Sequence, residues 1–557
     1  MLKWHKKKKT LWDILWLTII YVAAHWFLLV ATGKWWDDWV YADHNVEHLI
    51  EVCMQSGLPL DAFINMSVWN LPYRWLVFLY SYLDGVIIYF ILKKIDLFSA
   101  ESYFWVSALF VTIPINNERI IWICYSYSFC FLLFFISFYL VTFWIGTKGF
   151  KRIGLRILSL LILLVSFNME SNLLMTLLIL FYMYYTELKK DWKWKEITIN
   201  IKKVLKTVIH YIDFLIAPVA WYILDKLLFP GYGLYAGRSD IPWSRLLGIV
   251  IRSPMYAFGT LKVIAKNYSE TATGNIAKTF VIVGLIVYII TIIVISKKEG
   301  KKEQNTKISF AKNASMIFLG VLFFYIGFFP YGVKRDSSLR VSRDFILLGI
   351  GTSILIYYSV QALFREKIYK IILVFIVMLG VTYFNLTYFD YQESYYQQLQ
   401  LRDEIAENVG IRDNNTFLVI PRNAVPMLVP KFYEINGNAW AATGEETRMF
   451  ISGVGELRVL YEINEDSETL NECGLKDYDC TDKEIDGIIL ADYKDIDRGT
   501  MLRQKWNELF NGEAFHEWIR SIKNIRYVSI SSEESERIWK KYEAGELTDD
   551  FIYEWYG

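Results

Sequence analysis

Five cysteines in 557 residues are too few for a disulfide-built or zinc-built fold. Cys53, Cys124 and Cys130 fall in or beside apolar stretches, where buried thiols belong. Cys473 and Cys480 stand apart, near enough in sequence to close a short disulfide loop if their part of the chain lies outside the cytoplasm. No second Cys or His pair nearby completes a zinc signature. Also missing are a Walker lysine loop, a dinucleotide glycine fingerprint and a serine nucleophile elbow, which leaves ATP coupling and nicotinamide chemistry without support. No fixed-period repeat is visible, which argues against tandem-copy architectures.

What is abundant is apolar surface: 54% of residues are hydrophobic and 17% aromatic, far above an ordinary soluble enzyme of this length. The formal net charge of +1 conceals a division. Residues 388–557 carry 34 acidic and 18 basic side chains, net −16, whereas those before them carry 24 acidic and 41 basic, net +17. The basic part holds the apolar segments, and its lysines and arginines sit where cytoplasmic loops and lipid-anion sites place them. A membrane is therefore the expected partner, and no nucleic acid is.

Lys3, His5 and the lysine run at 6–9 precede an apolar segment at 11–32, giving a cytoplasmic N-terminus and an outward first crossing. That segment is too long, and too poor in small residues at its end, for a cleaved signal peptide. Further apolar segments fall at 73–92, 103–115, 120–145, 153–167, 173–185, 208–229, 280–295, 317–329, 346–363 and 371–386. Basic clusters at Lys93 and Lys94, at Lys148, Lys151 and Arg152, and at 189–206, 297–307 and 365–370 occupy alternate connections. This predicts about eleven crossings, with everything after 386 outside the cytoplasm. The 230–274 stretch, with Arg245, Arg252, Lys262 and Lys266 among apolar residues, suits interfacial helices capping a lipid-facing groove. The expected fold is an α-helical polytopic membrane domain at 1–387 followed by an acidic extracytoplasmic α/β domain at 388–557. The latter should contain a helix at 393–408, strands at 416–420, 487–490 and 527–531, and a helical stretch at 501–524.

Trp35-Trp36-Asp37-Asp38-Trp39 follows the first crossing and sets two adjacent carboxylates among headgroup-level aromatics. A carboxylate there serves as a general base or holds a divalent metal, Mg or Mn, beside a phosphate; the bland reading is a helix N-cap and a solvated charge. Two other short outer connections carry Glu118 and Glu170. The 334–344 loop, rich in Arg335, Arg340 and Arg343, opposes the positive-inside tendency and so calls for an anionic partner. Arginine forks fit phosphate oxygens, with Arg74 and Arg119 as second contributors; attraction to the acidic C-terminal domain is the other use. His44-Asn45-Val46-Glu47-His48 matches the inverted zinc-protease pattern over five residues only, and His44 or His48 could instead join Asp38 as metal ligands. Asp84 and Asp213 lie inside apolar segments, where helix-to-helix hydrogen bonding or a functional role keeps such groups.

The layout resembles the GT-C superfamily of polytopic glycosyltransferases: cytoplasmic N-terminus, the Asp37-Asp38 pair soon after the first crossing, further acids in outer loops and an extracytoplasmic C-terminal domain. Within it, the chain looks most like bacterial enzymes of cell-surface polysaccharide. The resemblance implies a polyprenyl-phosphate sugar donor, a glycan or wall-polymer acceptor, Asp37 or Asp38 as base, arginines on the departing phosphate, and inversion. The two acids are adjacent and not of the D-x-D form, a departure that bears on metal use. A lipid-linked saccharide transporter or flippase, a polysaccharide polymerase and a non-enzymatic surface assembly protein are the competing readings.

Overall fold

The computed structural model describes residues 2–41, 46–68, 71–95, 97–189, 197–236, 246–296, 310–334, 343–426, 428–464, 467, 470, 473, 475–481 and 483–557. Six helices among them are long and apolar enough to cross a membrane: Lys8–Leu29, Tyr73–Lys94, Trp122–Trp144, Lys312–Pro330, Ile346–Leu363 and Glu366–Glu407. Two bent pairs, Asn200–His210 with Ile212–Leu228 at 54° and Val250–Thr273 with Asn275–Ile290 at 90°, raise this to eight if each is one crossing. The chain is a multi-pass helical membrane protein.

Helices also form at the other apolar segments, and length and polarity are where they differ from the expectation of eleven crossings. Ser102–Thr112 has 11 residues and Phe150–Ser166 has 17, about 17 and 26 Å at 1.5 Å per residue against a hydrocarbon core about 30 Å thick. Asn172–Lys189 has the same 18 residues as the Ile346–Leu363 span but is less apolar, with Asn172, Glu187 and Lys189 towards its ends. In the 230–274 region the described residues form a short turn, Gly233–Tyr235, and one long helix, Leu246–Thr273, which turns at Gly274 into the next apolar helix.

The bundle is held by an aromatic core in which Phe131, Phe134, Phe135 and Phe138 are buried, with the Phe131 and Phe135 rings 4.7 Å apart. Close helix approach relies on small residues, as expected where lipid gives helices no hydrophobic reason to associate. Gly351 lies directly against the backbone of Phe323 and Phe324, leaving no room for a β-carbon. His25, at the end of the first helix, is buried; its Nε2 meets the carbonyl of Val111 and its Nδ1 the hydroxyl of Tyr388, each at 2.8 Å. A carbonyl can only accept, so Nε2 carries the proton.

Tyr388 belongs to the longest element. Glu366–Glu407 is a single helix of 42 residues, about 63 Å, that merges the last apolar segment with the helix expected at 393–408. The expected division at 387/388 therefore falls inside unbroken helix. Beyond it, β1 (Thr416–Arg422), β2 (Met449–Ser452), β3 (Gly487–Asp492) and β4 (Ile525–Ser529) form one sheet in the order β2-β1-β3-β4. β1 runs parallel to both neighbours, pairing Leu418 with Ile451 and with Ile488, while β4 is antiparallel to β3. Parallel pairing needs a crossover, and the helix Phe432–Thr443 between β1 and β2 supplies it. β1 is buried on both faces: Leu418 and Ile420 enter one cluster, Phe417 and Val419 another. The stretch expected to be helical at 501–524 is two helices, Arg498–Phe510 and Gly512–Ile522, broken at Asn511, whose side chain accepts from the N–H of Ala514. Cys473 and Cys480, expected to close a disulfide loop, instead lie buried as thiols in the cluster around Leu418, beside Leu470, Leu475 and Tyr478.

Candidate functional site

The Trp35–Trp39 stretch is clamped from several sides. Trp35 is buried, donates its indole N–H to the carbonyl of Tyr391 on the long helix at 2.7 Å, and packs edge-on to that ring at 5.4 Å. Trp36 has φ of 53°, a left-handed conformation that costs a bulky residue about 1–3 kcal/mol and persists only where neighbours dictate it. One such neighbour is Glu434, whose carboxylate accepts from the Trp36 N–H at 3.0 Å.

After this turn the two acids part company. Asp38 is 1% exposed and accepts three backbone N–H bonds: Trp122 at 3.0 Å, Ile123 at 3.0 Å and Trp35 at 3.4 Å. Burial pushes its pKa up to about 6, with these donors and the Arg74 guanidinium opposing. Asp37 is half-buried; its carbonyl accepts from Val40 and Tyr41 at 3.0 Å, starting the short helix Asp38–Tyr41. Its negative charge lies close enough to Glu434 and Tyr433 to raise the pKa of both.

Arg74, at the start of the Tyr73–Lys94 helix, gathers the loops. Its Nε donates to Ile120 O at 2.9 Å, one terminal nitrogen to Ala31 O at 3.1 Å and the other to Gly33 O. Trp35 and Tyr73 flank the guanidinium at 5.1 and 4.5 Å, a position favourable to a cation. Glu118 and Arg119 sit buried on the turn Asn117–Ile120 directly before Trp122. Arg119 donates to Asn116 O at 3.1 Å and lies over the Phe384 ring at 4.8 Å. Asp37, Asp38, Arg74, Glu118 and Arg119 thus belong to linked segments at one end of the bundle, where the sheet-bearing part joins it.

That part contributes residues the sequence does not advertise. Glu434 is three residues into its helix and accepts from the N–H of Lys431 at 3.1 Å, completing a capping box. The spacing is the usual one, but Lys431 stands where Ser, Thr, Asp or Asn would mark it. Burial raises the Glu434 pKa to about 8; the Lys431 and Trp36 N–H groups oppose this, and Asp37 and Glu456 add to it. Glu456 in turn accepts from the N–H of Phe432 at 2.8 Å. One turn past Glu434, a β-carbon on Gly437 would stand 2.5 Å from the carbonyl oxygen of Trp39, so glycine lets the two backbones touch.

Other predicted residues go elsewhere. Glu170 pairs with Lys226 at 2.7 Å, and Asp213 takes two hydrogen bonds from Arg156 at 2.6 and 2.8 Å. Arg335, Arg340 and His44 lie outside the described residues. Arg343 begins the turn Arg343–Leu348, whose Ile346 lines a cavity of about 20 Å³ together with Ser81, Asp84, Asn116 and Arg119. Asp84 is 3% exposed, and among the described residues its Oδ1 has no hydrogen-bond partner. A volume of that size holds about one water. His48 lies 5.7 Å from the Tyr41 ring. Among the described residues no three His, Cys, Asp or Glu side chains come together to hold a metal, and both Asp38 oxygens already serve backbone donors. As described, the residues around Asp38 and His48 do not assemble a divalent-ion site.

No protein-family model, curated protein or solved structure matches the chain.

Proposed function

We propose that the protein is an inverting glycosyltransferase that moves a sugar from a polyprenyl-phosphate donor to a cell-surface glycan or wall-polymer acceptor on the extracytoplasmic side. The observation that carries this reading is the half-buried Asp37, presented at the junction of bundle and sheet by a loop that Asp38, Arg74, Trp35 and Glu434 fix from four directions. A general base must be held still beside the hydroxyl it serves, and such a loop does that.

In this reading Asp37 is the base and Asp38 its anchor. Asp37 takes the proton from the acceptor hydroxyl as its oxygen bonds to the anomeric carbon. The bond from that carbon to the phosphate oxygen breaks, and the lipid phosphate leaves with the electron pair. Attack opposite the leaving group inverts the centre. Arg119 and the arginines of the 335–343 loop supply positive charge for the leaving phosphate, whereas Arg74, with three carbonyls on its guanidinium, orients the loop. With each bent pair crossing once, the three remaining apolar helices would bring the count to the expected eleven where the bilayer thins to meet them, and the acidic sheet-bearing domain positions the acceptor outside the cytoplasm.

Membranes containing the chain, supplied with labelled polyprenyl-phosphate sugars, test the class and the donor together. Transfer by the natural chain, lost in Asp37→Asn at equal expression, is the expected result. Undiminished transfer in Asp37→Asn, Asp38→Asn and the double variant would sink the catalytic assignment. The buried Asp84 favours transport as the second reading, which movement of intact sugar lipid across the bilayer without bond formation would support.

A further inference from the structure

The Arg498–Phe510 helix carries an apolar stripe that nothing among the described residues covers. Leu502, Trp506, Leu509 and Phe510 follow each other at helical spacing, and Trp506 and Phe510 are 65% and 68% exposed, their rings 4.4 Å apart. Arg498 and Arg503 border the stripe along the same helix. Large apolar side chains grouped this way on an otherwise acidic domain mark a contact surface.

The other side of the helix fixes its height. Glu508 accepts hydrogen bonds from Thr32, from Gln392 at 3.4 Å and from Tyr396 at 3.0 Å, and Lys505 donates to both Thr32 and Glu508. Thr32 is three residues past the end of the Lys8–Leu29 span. At that same end Trp75, 57% exposed, donates its indole N–H to the carbonyl of Leu29 at 2.9 Å, as aromatic residues at a membrane boundary do. The stripe is therefore level with the place where the first span leaves the hydrocarbon.

We propose that the Arg498–Phe510 helix lies in the bilayer interface and buries Leu502, Trp506, Leu509 and Phe510 among lipid headgroups and upper acyl chains. Its composition suits that position: apolar anchors on one side, arginines for lipid phosphates at the flanks, and a polar face bonded back to the protein. The helix would tether the sheet to the membrane at a second point besides the long helix, holding the Trp36–Glu434 junction at headgroup height. This inference does not rest on the proposed sugar transfer.

The test uses the full chain in nanodiscs of phosphatidylcholine and phosphatidylglycerol, with an environment-sensitive fluorophore at Trp506→Cys or Phe510→Cys. The five native cysteines are buried, and both labelled positions are exposed, so labelling spares the packed face. Glu536→Cys, on a side chain 67% exposed elsewhere in the domain, is the aqueous control. Brominated lipids should quench positions 506 and 510 several-fold more strongly than 536, and iodide should show the opposite order. Equal iodide access at all three positions would overturn the proposal. So would protection of 506 and 510 from both quenchers, which would assign the stripe to a second copy of the chain.

Discussion

The carboxylate of Glu434 accepts a hydrogen bond from the backbone N–H of Trp36 at 3.0 Å, joining segments 398 residues apart. The bond ties the sheet-bearing part of the chain to the loop that presents Asp37, so the protonation of Glu434 bears on both. Its pKa, raised by burial to about 8, lies above the ordinary 4.5. The folded state thus keeps a proton that the unfolded chain releases, and the stability so gained is full below about pH 4.5 and lost as pH rises through about 8. The melting temperature of the solubilised protein should fall between about pH 5 and pH 8 and level off above that, and Glu434→Gln should flatten that slope.

Asp37 and Asp38 should separate cleanly. Asp38→Ala strips the acceptor from three backbone N–H groups. Each orphaned donor costs about 1–3 kcal/mol, so this variant should express poorly or melt far below the natural chain. Asp37→Asn keeps the size of the side chain and should melt closer to the natural chain than Asp38→Ala does, while transfer drops by at least about 100-fold. Equal melting of the two variants would remove the anchor role of Asp38.

Gly437→Ala should be costly although alanine is the better helix former. The added β-carbon meets the Trp39 carbonyl at 2.5 Å, and backbone cannot yield as a flexible side chain would. Overpacking of this kind costs about 1–3 kcal/mol. Thermal unfolding should report the loss, and the shifted loop should reduce transfer as well.

Arg74→Lys tests geometry at constant charge. A lysine ammonium has three donors but no planar fork, and it cannot reach Ile120, Ala31 and Gly33 carbonyls while stacking between Trp35 and Tyr73. Two lost hydrogen bonds at about 1 kcal/mol each set the expected destabilisation near 2 kcal/mol. A variant with unchanged melting and unchanged transfer would show that the fork is dispensable.

The helices are legible in the sequence because runs such as 73–92 and 346–363 are apolar for nearly a membrane's width. The continuity of the Glu366–Glu407 helix is not, since its second half reads as a separate soluble, polar helix while its burial comes from tertiary packing. β2 escapes for a similar reason: four residues buried on both faces show no alternation. Asp37 and Asp38 stand out by composition, yet their different surroundings depend on Trp122, Ile123 and Glu434, which reach them only through the fold. Glu434 itself carries a capping-box spacing hidden by Lys431.

The 42-residue helix has a mechanical consequence. It has no break between its apolar half and the half that packs on the sheet-bearing part, so it acts as a rigid lever. Transmembrane helices tilt by about 20° on average, and a change of only about 10° over about 63 Å swings the far end by about 11 Å. Bilayer thickness, through the tilt it imposes, would in this way set the angle at which the acidic domain stands over the membrane.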